Sequence, residues 1–133
     1  MKIWVDGGNS KTGEYCIVTE EGNEIRHKEK RSTNNTLEYK AMLAGLELSN
    51  DGDIIYSDSK LVVCQLNGWW KINHDHLREL CQKCRDVLEY KNVTVRWIPR
   101  KHNRAGRFLN NKKSLQRNAR KQRNYAIEKS IIR

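Results

Sequence analysis

The chain has a single proline and no apolar run long enough to cross a bilayer. Its opening residues, MKIWVDGGNS, contain no signal-peptide core. These absences point to a cytoplasmic protein without a membrane span. A length of 133 residues suits one compact domain, long enough for a sheet with helices but short for two independent cores. Acid is what the C-terminal quarter lacks: residues 100–133 hold one Asp or Glu against 12 Lys and Arg, whereas residues 1–99 hold 15 against 14. The formal net charge of +10 therefore belongs to the tail. So dense a cluster repels itself unless it is solvated or meets a polyanion, and nucleic acid is the commonest such partner.

Cysteine is sparse, at positions 16, 64, 81 and 84, and without a secretory leader a disulfide framework is not expected. Cys81 and Cys84 have the C-x-x-C spacing of a zinc site, but no second Cys/His pair stands at ligand spacing. Leu77, Leu80, Cys81, Cys84, Val87 and Leu88 recur with helical period, which places both thiols on an apolar stripe as small core residues.

KIWV reads as a buried strand running into DGG, and YCIV and EIRHKEK as two further strands joined through EEGN. A helix follows STNN, with Leu37, Ala41, Ala44 and Leu48 along one face. IIYSD is a fourth strand, SKLVVCQLNG a short helix stopped by Gly68, HDHLRELCQKCRDVLEY a longer helix beginning near Asp75, and VTVRWI a fifth strand ending at Pro99. Consecutive strands with short turns pair antiparallel, and strand–helix–strand units pair parallel. The expected fold is α/β: a mixed five-stranded sheet, three strands antiparallel and the others parallel, flanked by helices.

Asp6 follows the first strand and Asp58 the fourth; if these strands are parallel neighbours, both carboxylates emerge at the sheet edge where open α/β sheets place ligands. Glu38, at the start of the first helix, is a third candidate. Gathered anions repel unless one is protonated or a cation lies between them, and an all-oxygen set favours Mg²⁺ or Mn²⁺ over zinc. Each has a plainer alternative: Glu38 fits a capping box with Asn35, and both aspartates fit ordinary turns.

VDGG, STNNTLEYKAMLAGL, YSDSKLVVCQLNG and VRWIPRKHN together resemble the type 1 ribonucleases H, over most of residues 3–110 and in the short, archaeal-like form. The resemblance implies an RNase H-like domain over residues 1–111; residues 112–133, outside it, are expected from their charge and helix-forming residues to be a basic helical segment of the same domain. It further implies a monomeric endoribonuclease that hydrolyses the RNA strand of RNA–DNA hybrids with two divalent ions. Asp6 would bridge the ions, and Glu38 and Asp58 would hold the leaving-group side. Asn34 and Asn35 match positions that contact the hybrid minor groove, where 2′-hydroxyls mark RNA; Gln65 and Trp69 are weaker candidates to face it, and Trp69 and Trp70 equally fit packing.

The family's last helix carries N-x-x-A-D-x-L-A, whose Asp is the fourth carboxylate. Here Asn103, Gly106, Arg107, Leu109 and Asn110 occupy that pattern, and Arg107 stands where the Asp is expected. In a helix Asn110 lies one turn beyond Arg107, and its carbonyl oxygen is an acceptable ligand for a hard ion, with Asn111 the next possibility. Arg100, Lys101, Arg104 and Arg107, with the run from Lys112 to Arg123, would contact phosphates, and His102 would help product release. The alternative is an inactive RNase H-like module that holds hybrid or double-stranded RNA through its basic residues.

Overall fold

The computed structural model describes residues 1–8, 13–30 and 32–110, excepting the Asn110 side chain. The expectations for Asn111 and for residues 112–133 lie outside the described residues. The elements run β1 (Lys2–Gly8), β2 (Glu14–Thr19), β3 (Glu24–Lys28), α1 (Asn34–Leu48), β4 (Ile54–Ser57), α2 (Lys60–Leu66), α3 (Asp75–Tyr90), β5 (Thr94–Trp97) and, after a 3-10 turn at Arg100–His102, α4 (Arg104–Asn110). They form one five-stranded sheet of order β3-β2-β1-β4-β5. β1 pairs antiparallel with β2 and parallel with β4, β2 is antiparallel to β3, and β4 is parallel to β5. The expected mixed sheet is the one observed.

β1 is central and covered on both faces, so side-chain alternation sorts its residues into two cores. Ile3 and Val5 join Tyr39, Met42, Leu46, Ile55, Val62, Leu77, Cys81 and Cys84 beneath α1 and α3. Trp4 joins Cys16, Val18, Ala105, Phe108 and Leu109 beneath α4. Each fully buried Ile or Leu in these clusters contributes about 1.5–3 kcal/mol. The thiols of Cys81 and Cys84 are buried in the first cluster, and burial pushes Cys84 up to about 12, consistent with core thiols.

α1 departs from its expected face. Leu37 and Ala41 are buried, but Leu48 is exposed, and the inward stripe continues through Met42, Gly45 and Leu46. The small residues explain the rotation. A Cβ at Gly45 would lie 2.7 Å from Val5 Cγ1, so helix and sheet approach more closely than a leucine stripe would allow. The same crowding recurs at Gly7, where a Cβ would fall inside the Leu37 carbonyl and the Glu38 backbone nitrogen.

Candidate metal centre

Asp6 lies within β1 rather than just after it, paired with Cys16, because β2 continues to pair with the strand through Gly8. Alternation turns Trp4 and Asp6 toward α4, and Gly7 brings the strand against the first turn of α1, next to Glu38. β4 ends at Ser57, so Asp58 leaves the sheet beside Asp6 at the same edge. One carboxylate oxygen from each of Asp6, Glu38 and Asp58 lies within 4.8 Å of the others.

The α1 start is capped by Thr33, whose Oγ1 accepts from the Thr36 backbone N–H at 3.2 Å, and not by the Asn35–Glu38 box. That leaves the Glu38 carboxylate free for the pocket. Its Oε2 is buried without a hydrogen-bond partner among the described residues. Burial, then the charge of Asp58, lifts the Asp6 pKa to about 7. Burial, then the charges of Asp6 and Asp58, lifts Glu38 to about 10. The two carboxylates are close enough to titrate as a pair, so in the metal-free protein protons are held on them well above the usual carboxylate range. A partnerless carboxylate oxygen among three crowded carboxylates fits hard divalent cations: the donors are all oxygen and their repulsion is what bound charge would relieve.

Asn103, which sequence reasoning used only to align the last helix, holds the pocket from below. It is 0% exposed; its Nδ2 donates to Val5 O at 3.0 Å and to Asp58 Oδ2 at 3.3 Å, and its Oδ1 accepts from the Ala105 N–H at 3.0 Å. One side chain thus ties α4 to β1 and orients a carboxylate. The signal for it was an Asn immediately before a helical run, the usual sequence of a helix cap. Trp97 supports Asp58 from the other side, its Nε1 donating to the Asp58 carbonyl at 3.0 Å.

α4 meets the carboxylates through Gly106, where a Cβ would stand 3.4 Å from Asp6 Oδ2 and 3.7 Å from Asp58 Oδ2. Arg107 is exposed. The backbone of Asn110 closes α4 one turn beyond Gly106, and its side chain lies outside the described residues. The far end of α4 is held by Arg26, whose Nη2 donates to Phe108 O at 3.3 Å and whose guanidinium lies 4.6 Å from the Phe108 ring centroid.

Asn34 and Asn35 are exposed at the α1 start, one turn or less from Glu38, and Arg100, Lys101 and Arg104 are exposed between β5 and α4. Arg104 stacks over Trp4, 4.3 Å from its ring centroid. Gln65 is placed differently from expectation. It is buried, its Oε1 accepting from Tyr39 Oη at 2.6 Å and its Nε2 donating to Lys71 O at 3.2 Å, so its amide joins α1 to the segment after α2 instead of facing a ligand. Trp69 and Trp70 are exposed rather than packed.

Residues 11–113 match the family described as Reverse transcriptase-like. The bifunctional protein Rv2228c of Mycobacterium tuberculosis is 35% identical over 78 residues, 55% of this chain and 21% of that protein. The solved N-terminal RNase H domain of Rv2228c, a fusion with maltose binding protein, superposes with a TM-score of 0.69 at 30% identity, covering 77% of this chain and 84% of that one. Ribonuclease HI of Halobacterium salinarum is 35% identical over 105 residues, 75% of this chain and 51% of that protein. The chain therefore spans between a fifth and a half of these curated relatives. LC11-RNase H1, solved in complex with RNA/DNA hybrid, superposes with a TM-score of 0.67 at 26% identity, covering 77% of this chain and 88% of that one.

Proposed function

The chain belongs to the reverse transcriptase-like family and has the RNase H fold, and we propose that it is an endoribonuclease hydrolysing the RNA strand of RNA–DNA hybrids with two divalent ions, Mg²⁺ or Mn²⁺. The observation that carries this is the convergence of Asp6, Glu38 and Asp58, from β1, α1 and the end of β4, to within 4.8 Å. Their mutual repulsion is unfavourable without a cation, and the buried Oε2 of Glu38 has no other partner among the described residues. A hybrid bound to a structural neighbour supports the substrate class.

Asp6 would be shared by both ions, with Glu38 and Asp58 on the leaving-group side and Asn110 as a neutral fourth ligand. Bound divalent ions acidify water and offset charge on the leaving oxygen. The reaction forms a new P–O bond from water and breaks the bond from phosphorus to the 3′ oxygen, which leaves as a hydroxyl. The protein's own groups do the positioning. Asn103 fixes the Asp58 carboxylate, so less reorganisation accompanies charge development. Asn34 and Asn35, exposed beside Glu38, would read 2′-hydroxyls across the minor groove, which selects the RNA strand. Arg100, Lys101, Arg104 and Arg107 would hold phosphates and set register without reading bases.

A cleavage assay on end-labelled hybrid, duplex RNA and duplex DNA, each with Mg²⁺ and with Mn²⁺, tests the proposal. The expected result is cleavage of the RNA strand of the hybrid, abolished by Asp6→Asn and by Asp58→Asn. Unchanged cleavage by Asp6→Asn would end the metal assignment. A second reading, a module that binds hybrid or duplex RNA without cutting it, is favoured by the exposed Arg107 in the fourth carboxylate's position. Binding without cleavage in both metals would select it.

A further inference from the structure

A surface cavity of about 400 Å³, distinct from the carboxylate pocket, is lined by Trp70, Lys71, Arg78, Gln82 and Arg85. Two of its cations, Arg78 and Arg85, are anchored by hydrogen bonds. Arg78 donates from Nε to Ile72 O at 3.0 Å and from Nη1 to Asp75 Oδ1 at 2.7 Å, and Arg85 donates from Nη2 to Gln65 O at 2.8 Å. A guanidinium has five N–H donors, so both keep donors for a ligand, and anchoring removes much of the ordering cost of binding. Lys71 takes part in no ion pair among the described residues. The nearby acids are already engaged: Asp75 with Arg78, and Asp86 with Gln82 Nε2 at 2.9 Å.

Trp70 is 48% exposed yet held by its backbone. Gly68, at φ +76°, turns the chain out of α2, and the N–H groups of Trp69 and Trp70 both donate to Cys64 O, at 2.9 and 3.2 Å. A large indole kept in solvent on a rigid turn beside three cations matches the requirements of a single nucleic-acid strand, phosphate on the cations and base on the ring. The cavity sits at the C-terminal end of α2, whose N-terminus begins two residues after Asp58. Seven helical residues rise about 10 Å, or about three nucleotide steps along a strand.

We infer that this cavity binds a single-stranded extension of the substrate, its base against Trp70 and its phosphate on Lys71, Arg78 and Arg85, at least about three nucleotides from the carboxylate pocket. This rests on the nuclease reading for the identity of the duplex part, but its chemistry is separate from cleavage.

The experiment compares a blunt hybrid with hybrids carrying a 5′ or a 3′ single-stranded extension. Binding is read by fluorescence anisotropy in EDTA across a salt series, for the wild-type chain, Trp70→Ala and Lys71→Glu. Circular dichroism confirms that each variant is folded. The expected result is that one extension tightens wild-type binding at least about 5-fold, and that Trp70→Ala and Lys71→Glu each remove most of the gain. Lys71→Glu should also reduce the slope of log affinity against log salt by about 0.7 for the extended substrate. The inference is overturned if neither extension improves binding, or if both variants retain the gain. Cleavage of the blunt hybrid by the same wild-type preparation is scored separately. Its absence with an intact extension gain refutes the nuclease reading alone, and its presence without that gain refutes this inference alone.

Discussion

Without metal, the carboxylate pocket should make the protein less stable as pH rises. In the unfolded chain Asp6 and Glu38 titrate near 3.8 and 4.5, but in the fold they are raised to about 7 and about 10. Well below pH 3.8 both states are protonated and the pocket costs nothing. Above it the unfolded chain releases protons that the fold retains, so stability is lost progressively as pH rises toward the folded values. Between pH 5 and about pH 7, where the folded carboxyl also ionises and the loss levels off, the Asp6 shift alone corresponds to roughly 3 kcal/mol, at about 1.4 kcal/mol per pH unit. Because the two carboxylates titrate as a pair, the Glu38 contribution is not simply additive. For a domain of this size that loss lowers Tm by about 10 °C. Thermal unfolding in EDTA at pH 5, 6, 7 and 8 measures it. Glu38→Gln and Asp6→Asn should flatten the slope, and Mn²⁺ at about 100 times its Kd should return about 2.7 kcal/mol to the wild type. A wild-type Tm that is constant or rises over that range, or variants with the same slope as wild type, would refute the reasoning.

Asn103→Ala should cost about 2–3 kcal/mol, since it leaves Val5 O without its buried donor and removes the cap of α4. Measured below its own Tm, it should also weaken Mn²⁺ binding by about 10-fold or more, because Asp58 loses its orienting donor. Gly7→Ala should destabilise by about 2–4 kcal/mol and reduce metal affinity together, because the new methyl displaces the α1 backbone that carries Glu38; chemical denaturation with and without Mn²⁺ tests both effects. Arg107→Asp should raise Mn²⁺ affinity about 10-fold and lower the Tm in EDTA, by adding a fourth carboxylate. Asn110→Asp should act in the same direction on affinity and preserve or raise cleavage. Calorimetric titrations in which neither substitution changes affinity would remove both positions from the metal site.

The strands and the amphipathic α3 were legible because their patterns are local: alternation in VTVRWI, and a period near 3.6 from Leu77 to Leu88. The carboxylate triad was legible because Asp6, Glu38 and Asp58 fall at or near element ends that one sheet topology brings together. What was missed depends on tertiary packing. The stripe of α1 is set by how near Gly45 lets the helix come to Val5, which a count of leucines does not reveal. Gln65 is a polar residue on a short helix, and only the opposing Tyr39 and the carbonyl of Lys71 make it an interior residue. Asn103 carries two unrelated duties, a helix cap and a carboxylate clamp, and only the first has a sequence signature.

Calorimetric titration of the metal-free protein with Mn²⁺ tests the central claim most directly. Saturable uptake by the wild type that is lost in Asp6→Asn and in Asp58→Asn is the predicted result. No uptake by a folded wild-type protein, or equal uptake by all three proteins, would contradict it.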